Sequence, residues 1–186
     1  MSFSTLDFNI NYDSLLECFY NLDIDNMLDK DPFQLAVQCR KNNLDKTSQL
    51  YESCGSLFFD WQAYERNPSG KMPLRKDKFK ETDFSETCDI FKGTYIESVI
   101  DTIKQQYPIV RGRFMKMMHK TCLTMHTDKS KRIHIPIYTN KNCLMIVNGE
   151  IIHMPFANTY LVDTTVPHTA LNASKDSRVH LVFCIE

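Results

Sequence analysis

No apolar run in the 186 residues approaches the ~18 that a membrane-spanning helix needs. The start, MSFSTLDFNINYDSLL, has neither the basic residues nor the apolar block of a secretory signal. The expectation is therefore a soluble, cytoplasmic protein with no membrane partner. The 7 cysteines are scattered without a single CxxC pair. An odd, dispersed set argues for reduced thiols, against both a disulfide framework and a cysteine zinc site. A net charge of −1 leaves no global electrostatic hold on nucleic acid. There is no internal repeat and no low-complexity tract, and the length suits one domain, residues 1–186, better than two.

Hydrophobic residues make up 42% of the chain and charged ones 24%, a globular composition. Their placement is uneven. Residues 1–70 carry 11 acidic and 5 basic side chains, and residues 71–120 carry 7 and 11. All 6 histidines (119, 126, 134, 153, 168 and 180) fall in the last 68 residues, which directs the search for chemistry there.

Residues 12–22 place Leu15, Leu16, Phe19 and Tyr20 on one side of a short amphipathic helix. Residues 33–39, FQLAVQC, read equally as a strand or a helix start. Residues 67–83 combine Pro68, Gly70 and Pro73 with a run of Lys and Arg, and read as a loop, either a solvated connection or a substrate-facing lid. Thr94 and Glu97 have capping-box spacing, and Ile96, Val99, Ile100 and Ile103 follow at helical period until Pro108 closes the run. That helix is expected to lay its apolar stripe on a sheet.

From Arg111 onward the pattern turns to short strands. RIHIPIYT sets Ile133, Ile135 and Ile137 against Arg132 and His134, and RVHLVFCIE sets Val179, Leu181, Phe183 and Ile185 against Arg178 and His180. Asn148-Gly149 between two apolar runs is a strong hairpin signal. With RFMKMM, CLTMH, NTYLVD and HTALN, about eight strands fit, a density that predicts a barrel or a double-sheet jelly roll.

Within this β region, His126 and Asp128 in MHTD stand at i and i+2, so on a strand both would reach one metal ion. His168 in VPHTA supplies a third ligand from another strand. Two imidazoles and one carboxylate leave coordination positions open, the arrangement with which non-haem Fe(II) oxygenases bind a co-substrate and O2. Arg178 follows ten residues after His168, on a strand expected to lie beside it. Its guanidinium is the bidentate fork that the far end of a dicarboxylic acid needs. Arg132 and His134 share a face and are candidate second contacts to the same carboxylate.

The stretch from RGRFMKMMHKTCLTMHTD through RIHIPIYTN to VDTTVPHTALNASKDSRVHLVF resembles the Fe(II)/2-oxoglutarate-dependent dioxygenases. Among them it is most similar to the aspartyl/asparaginyl β-hydroxylase-like group, which includes the bacterial proline cis-4-hydroxylases. The resemblance covers about residues 84–186. It implies a double-stranded β-helix (cupin-like jelly roll) as catalytic core over 84–186, with a helical or irregular flank over 1–83. It also implies Fe(II) on His126, Asp128 and His168, and 2-oxoglutarate on Arg178 with Arg132 and His134 nearby. The activity implied is hydroxylation of an unactivated C–H bond of an amino acid or aminoacyl residue by O2, with succinate and CO2 as co-products and no side-chain general base. The presence of Asp128 aligns the chain with the free-amino-acid branch. The competing readings are a jelly-roll metalloenzyme of another type, which would more often use an H-x-H pair, and a binding module without turnover.

Overall fold

Side-chain alternation decides where this chain becomes strand, and long-range pairing decides which strands meet. The computed structural model describes residues 2–30, 32–60 and 71–186. In chain order it contains β1 (Phe3–Leu6), α1 (Tyr12–Asn21), α2 (Ile24–Met27), β2 (Gln34–Ala36), β3 (Gln38–Cys39), α3 (Lys46–Gln49), β4 (Glu86–Thr87) and α4 (Tyr95–Lys104). The β region follows as β5 (Ile109–Met117), β6 (Thr121–Cys122), β7 (Arg132–Tyr138), β8 (Cys143–Val147), β9 (Glu150–His153), β10 (Thr159–Val162), β11 (His168–Asn172) and β12 (Arg178–Ile185).

The strands form a sheet in the order β1-β10-β7-β12-β5-β2 and a smaller one in the order β6-β11-β8-β9, with β3 and β4 paired separately. From β5 onward the chain passes back and forth between the two sheets, so strands distant in sequence interleave. That winding is the double-stranded β-helix, or jelly roll. The N-terminal flank is more than helix and irregular chain, because β1 and β2 extend the larger sheet at its two edges. Gln34 and Ala36 pair with Met115 and Arg113 on β5, which is why 33–39 becomes strand although its local period allowed either form.

The inner strands β5, β7 and β12 of the larger sheet have two buried faces. Outward, Phe114, Ile133, Ile135, Ile137, Val179, Leu181 and Phe183 join Leu15 and Phe19 of α1 and Ile96, Val99, Ile100 and Ile103 of α4 in one core. Inward, Met117, Met145, Val147, Met154, Tyr160, Val162 and Ala170 fill part of the space between the sheets. The Asn148-Gly149 turn has φ of 50° and 80° and sets Val147 opposite Glu150, as a two-residue hairpin requires.

Three local expectations are corrected. In α1, Leu15 and Phe19 are buried but Tyr20 is 56% exposed. Leu16 and Tyr20 form the next row, about 100° round the helix; Leu16 still packs against the core, while Tyr20 turns out to solvent. At α4 the capping box does not close as spaced: the Thr94 hydroxyl donates to the Phe91 carbonyl at 2.7 Å. Glu97 instead accepts from the Gly93 amide at 2.7 Å. The tight turn at Asp89–Phe91 presents that carbonyl to Thr94, and the hydroxyl is spent on it. Of the loop at 67–83, residues 67–70 lie outside the described residues. The rest holds a bridge from Leu74 to Phe59 and a short 3-10 turn at Glu81–Asp83.

Gly112 is required where β5 passes under Phe183. A Cβ there would lie 2.4 Å from the Phe183 ring and 2.7 Å from Val37 Cγ2. Gly112→Ala is expected to destabilise the fold by about 1–3 kcal/mol, the usual range for overpacking a core. A lower urea midpoint with an unchanged m-value is the result to look for.

Glu81 ties the flank to the jelly roll. Its carboxylate pairs with the buried Arg111 guanidinium at 3.0 Å and accepts hydrogen bonds from Ser130 at 2.8 Å and Cys184 at 3.3 Å. Burial pushes its pKa up, but the Ser130 and Cys184 hydrogen bonds and the charges of Arg111 and Arg132 overcome that and hold it below the usual value. A depressed carboxyl stabilises the fold above the ordinary glutamate pKa of about 4.3 and loses that contribution as pH falls through the folded value. Glu81→Gln is therefore expected to flatten the acid limb of a stability–pH profile, read by urea unfolding at successive pH values.

Candidate metal centre

The centre is assembled where two chain segments meet at the mouth of the jelly roll. His168 opens β11, and His126 lies opposite it in a single antiparallel bridge. Their backbones exchange both hydrogen bonds, 3.0 Å from the His126 amide and 2.9 Å from the His168 amide. The imidazole centroids are consequently 4.3 Å apart. Asp128 is held by its amide, which donates to the Thr164 carbonyl at 2.8 Å. His126 and Asp128 do not share one continuous strand, as i, i+2 spacing had suggested. The first is a bridge residue and the second lies in the loop before β7. The outcome for the side chains is nevertheless convergence: His126, Asp128 and His168 each offer a ligand atom, all within 4.8 Å of one another.

Both imidazoles are set in a defined tautomer. His126 Nδ1 lies 2.7 Å from the Thr124 carbonyl and His168 Nδ1 lies 3.0 Å from the Val166 carbonyl. A carbonyl only accepts, so each Nδ1 carries the proton and each Nε2 keeps its lone pair for a metal. Asp128 Oδ2 sits 3.3 Å from His168 Nε2 and 2.8 Å from the Arg132 guanidinium. Burial raises the Asp128 pKa, yet the His168 contact and the charge of Arg132 outweigh it and keep the carboxyl below its ordinary range.

Behind this cluster the inner face of the larger sheet is polar and dry. Arg178, the first residue of β12, is buried, and its Nε has no hydrogen-bond partner among the described residues. Burial pushes its pKa down to about 10. His134 and His180 are also buried, 3.4 Å apart between their Nδ1 atoms. Burial first, then the charge of Arg178, holds both well below the ordinary histidine pKa. In a neutral pair one Nδ1 must donate to the other, so the partnerless Nε2 atoms present one N–H and one lone pair to the interior.

The expected adjacency of Arg178 and His168 is corrected here. β12 pairs with β5 and β7, whereas β11 pairs with β6 and β8, so the two residues stand on opposite sheets. The alternation of consecutive strands between sheets is the reason. Arg132 reaches Asp128, with its Nε left unpartnered, and His134 lies deeper. Two residues of this interior had no assignment from sequence. Arg113 is fully buried, pairs only through Gln34 at 3.0 Å, and is pushed down to about 9 by burial and by Arg111. Glu81 approaches from the flank. Arg113 was detectable as the polar member alternating with Met115 and Met117, but nothing local announces Glu81.

A jelly roll with two imidazoles and a carboxylate converging at its mouth defines a fold built around a candidate metal cluster. The chain belongs to the aspartyl/asparaginyl β-hydroxylase family, whose model matches residues 30–186. That match starts well before residue 84 and takes in β2, β3 and β4. The sequence is 24% identical over 98 residues to an L-proline cis-4-hydroxylase of Rhizobium meliloti, an alignment covering 50% of this chain and 35% of that protein. The chain thus spans only about a third of that relative's length. Among solved structures, a 2OG-Fe(II) oxygenase family oxidoreductase from Burkholderia pseudomallei is similar at a TM-score of 0.39 and 14% identity, over 52% of each chain. A cupin domain from Bordetella pertussis is similar at 0.37 and 15%, over 42% of this chain and 82% of that one. The fold assignment rests on the strand order.

Proposed function

We propose that this protein is an Fe(II)- and 2-oxoglutarate-dependent dioxygenase that hydroxylates an unactivated C–H bond of an amino acid or aminoacyl residue, releasing succinate and CO2. The observation that carries the reading is the pair of free Nε2 lone pairs beside the Asp128 carboxylate, together with a buried Arg178 on the opposite sheet whose Nε has no partner among the described residues. Two nitrogens and one oxygen suit iron, which when bound supplies the oxygen chemistry. A dicarboxylate is the complement of the orphaned donors behind it: Arg178 takes its far end, and the partnerless Nε2–H of the His134–His180 pair adds a donor. Arg132 orients Asp128 and is a second cation within reach of a bound carboxylate. The interior positions and excludes water, and no protein base is needed.

The family's name and the proline hydroxylase relative support an amino acid substrate. Apolar core shared between the flank and the sheets supports one domain over 1–186. Seven unpaired cysteines support a reducing, cytoplasmic setting, and no helix among the described residues is long and apolar enough to cross a membrane. The test is succinate release by protein supplied with Fe(II), ascorbate and 2-oxoglutarate, screened over the proteinogenic amino acids with mass spectrometry for the gain of one oxygen. Absence of succinate with every candidate would favour another metalloenzyme class or a binding module.

A further inference from the structure

The central strand β12 has two chemically different ends. Arg178 begins it, opposite Met117, and Ile185 ends it, opposite Ile109. Between them Val182 lies beside His134 and Cys184 beside Arg132. Arg132 carries Asp128, so the candidate metal cluster joins this strand nearer its Ile185 end. Beyond that end opens a cavity of about 580 Å³, with Leu57, Phe58, Leu74, Phe79, Val110 and Ile185 among its walls.

The cavity lining continues into the segment that carries Asp128. Lys129 and Ser130, which line it, directly follow Asp128. Ser130 and Arg132 both turn toward Glu81, the first by its hydrogen bond at 2.8 Å and the second by its charge. The Glu81 carboxylate is already occupied by Arg111, Ser130 and Cys184, so it adds no free acid to that lining. Two rings of the lining are held by cations: Lys129 Nζ, itself in the lining, sits 4.3 Å from the Phe58 centroid and the Arg40 guanidinium 4.4 Å from that of Phe79. Phe58 and Leu74 remain 48% and 72% exposed, an apolar surface that gains by being covered. A volume of this size lies within the range of small-molecule sites, which run from about 300 to 1,000 Å³.

We propose that this cavity receives the side chain of the substrate, and that the substrate is therefore an amino acid, free or peptide-borne, with a large aliphatic or aromatic side chain. Co-substrate and substrate then approach the metal cluster from opposite ends of β12. The inference rests on the hydroxylase reading above, and deepens it by naming the substrate class. Leu57, Phe58, Leu74 and Phe79 become the residues that select size.

The test uses the whole protein loaded with Fe(II) and 2-oxoglutarate, and L-phenylalanine, L-leucine and L-proline, each free and as the N-acetyl amide. Binding is followed without oxygen through perturbation of the metal-to-ligand absorption band, and turnover by succinate and product mass. Phenylalanine or leucine, in one of the two forms, is expected to bind at least ~10-fold more tightly than proline, from the extra apolar area covered. Leu74→Lys and Phe58→Ala, both at exposed positions, are expected to bring that ratio close to one. A normal band with proline preferred, with no probe bound, or with a ratio untouched by both variants overturns the inference alone. Failure of the band to form overturns the iron and 2-oxoglutarate reading, and this inference with it.

Discussion

Arg178→Ala protein is expected to bind 2-oxoglutarate roughly 30- to several-thousand-fold more weakly while keeping its affinity for Fe(II). The magnitude follows from the ~2–5 kcal/mol typically lost when one partner of a buried, hydrogen-bonded charge pair is removed. The physical ground is the orphaned Nε of a side chain that is only 7% exposed. No acidic side chain pairs with Arg178 among the described residues, so the substitution breaks no internal ion pair and the free protein should remain folded. Lysine should restore only part of the binding, because it offers a point charge in place of a planar fork. Titration of 2-oxoglutarate into Fe(II)-loaded protein, read at the metal-to-ligand band, measures both quantities. An unchanged dissociation constant would move the dicarboxylate to Arg132, His134 or Arg113.

The second large effect is at Asp128. Asp128→Gly removes the only oxygen donor of the cluster and leaves the Arg132 guanidinium, now 2.8 Å from that oxygen, without its ion-pair partner beside two imidazoles. Fe(II) affinity should fall by more than the 10–100-fold seen when outer partners of metal ligands are lost, and hydroxylation should fall at least as far. Calorimetric titration with Fe(II), or with Mn(II) as a redox-stable probe, gives the affinity directly. Wild-type affinity in this variant would remove Asp128 from the ligand set.

The parts of this molecule legible in its sequence are those governed by neighbours a few residues away. The isoleucine stripe of α4, the Asn148-Gly149 hairpin and the alternation in β7 and β12 all belong to that group. The proximity of His126, Asp128 and His168 was legible through motif spacing, although a bridge and a loop deliver it instead of one strand. What was not legible depends on pairing across the chain. Arg178 and His168 stand on different sheets because the chain passes back and forth between the sheets. The Thr94 hydroxyl goes to a carbonyl offered by the preceding turn, and Arg132 is spent in part on Asp128. Glu81 reaches Arg111, Ser130 and Cys184 from a loop whose composition signals only solvent.

The edge pairing of β1 carries a consequence for how the molecule is made. Phe3 to Leu6 lie opposite Thr159 to Val162, so β1 has no partner until β10 has been synthesised. One side of β5 likewise waits for β12, while the other pairs with the earlier β2. Few productive sheet contacts can form early on the ribosome, and loop closure must precede most of them, which places folding in the slow, millisecond-to-second regime of non-local β topologies. Until then β1 and one side of β5 are unpaired, and a growing chain of this design depends on chaperone shelter more than a helical protein of equal length.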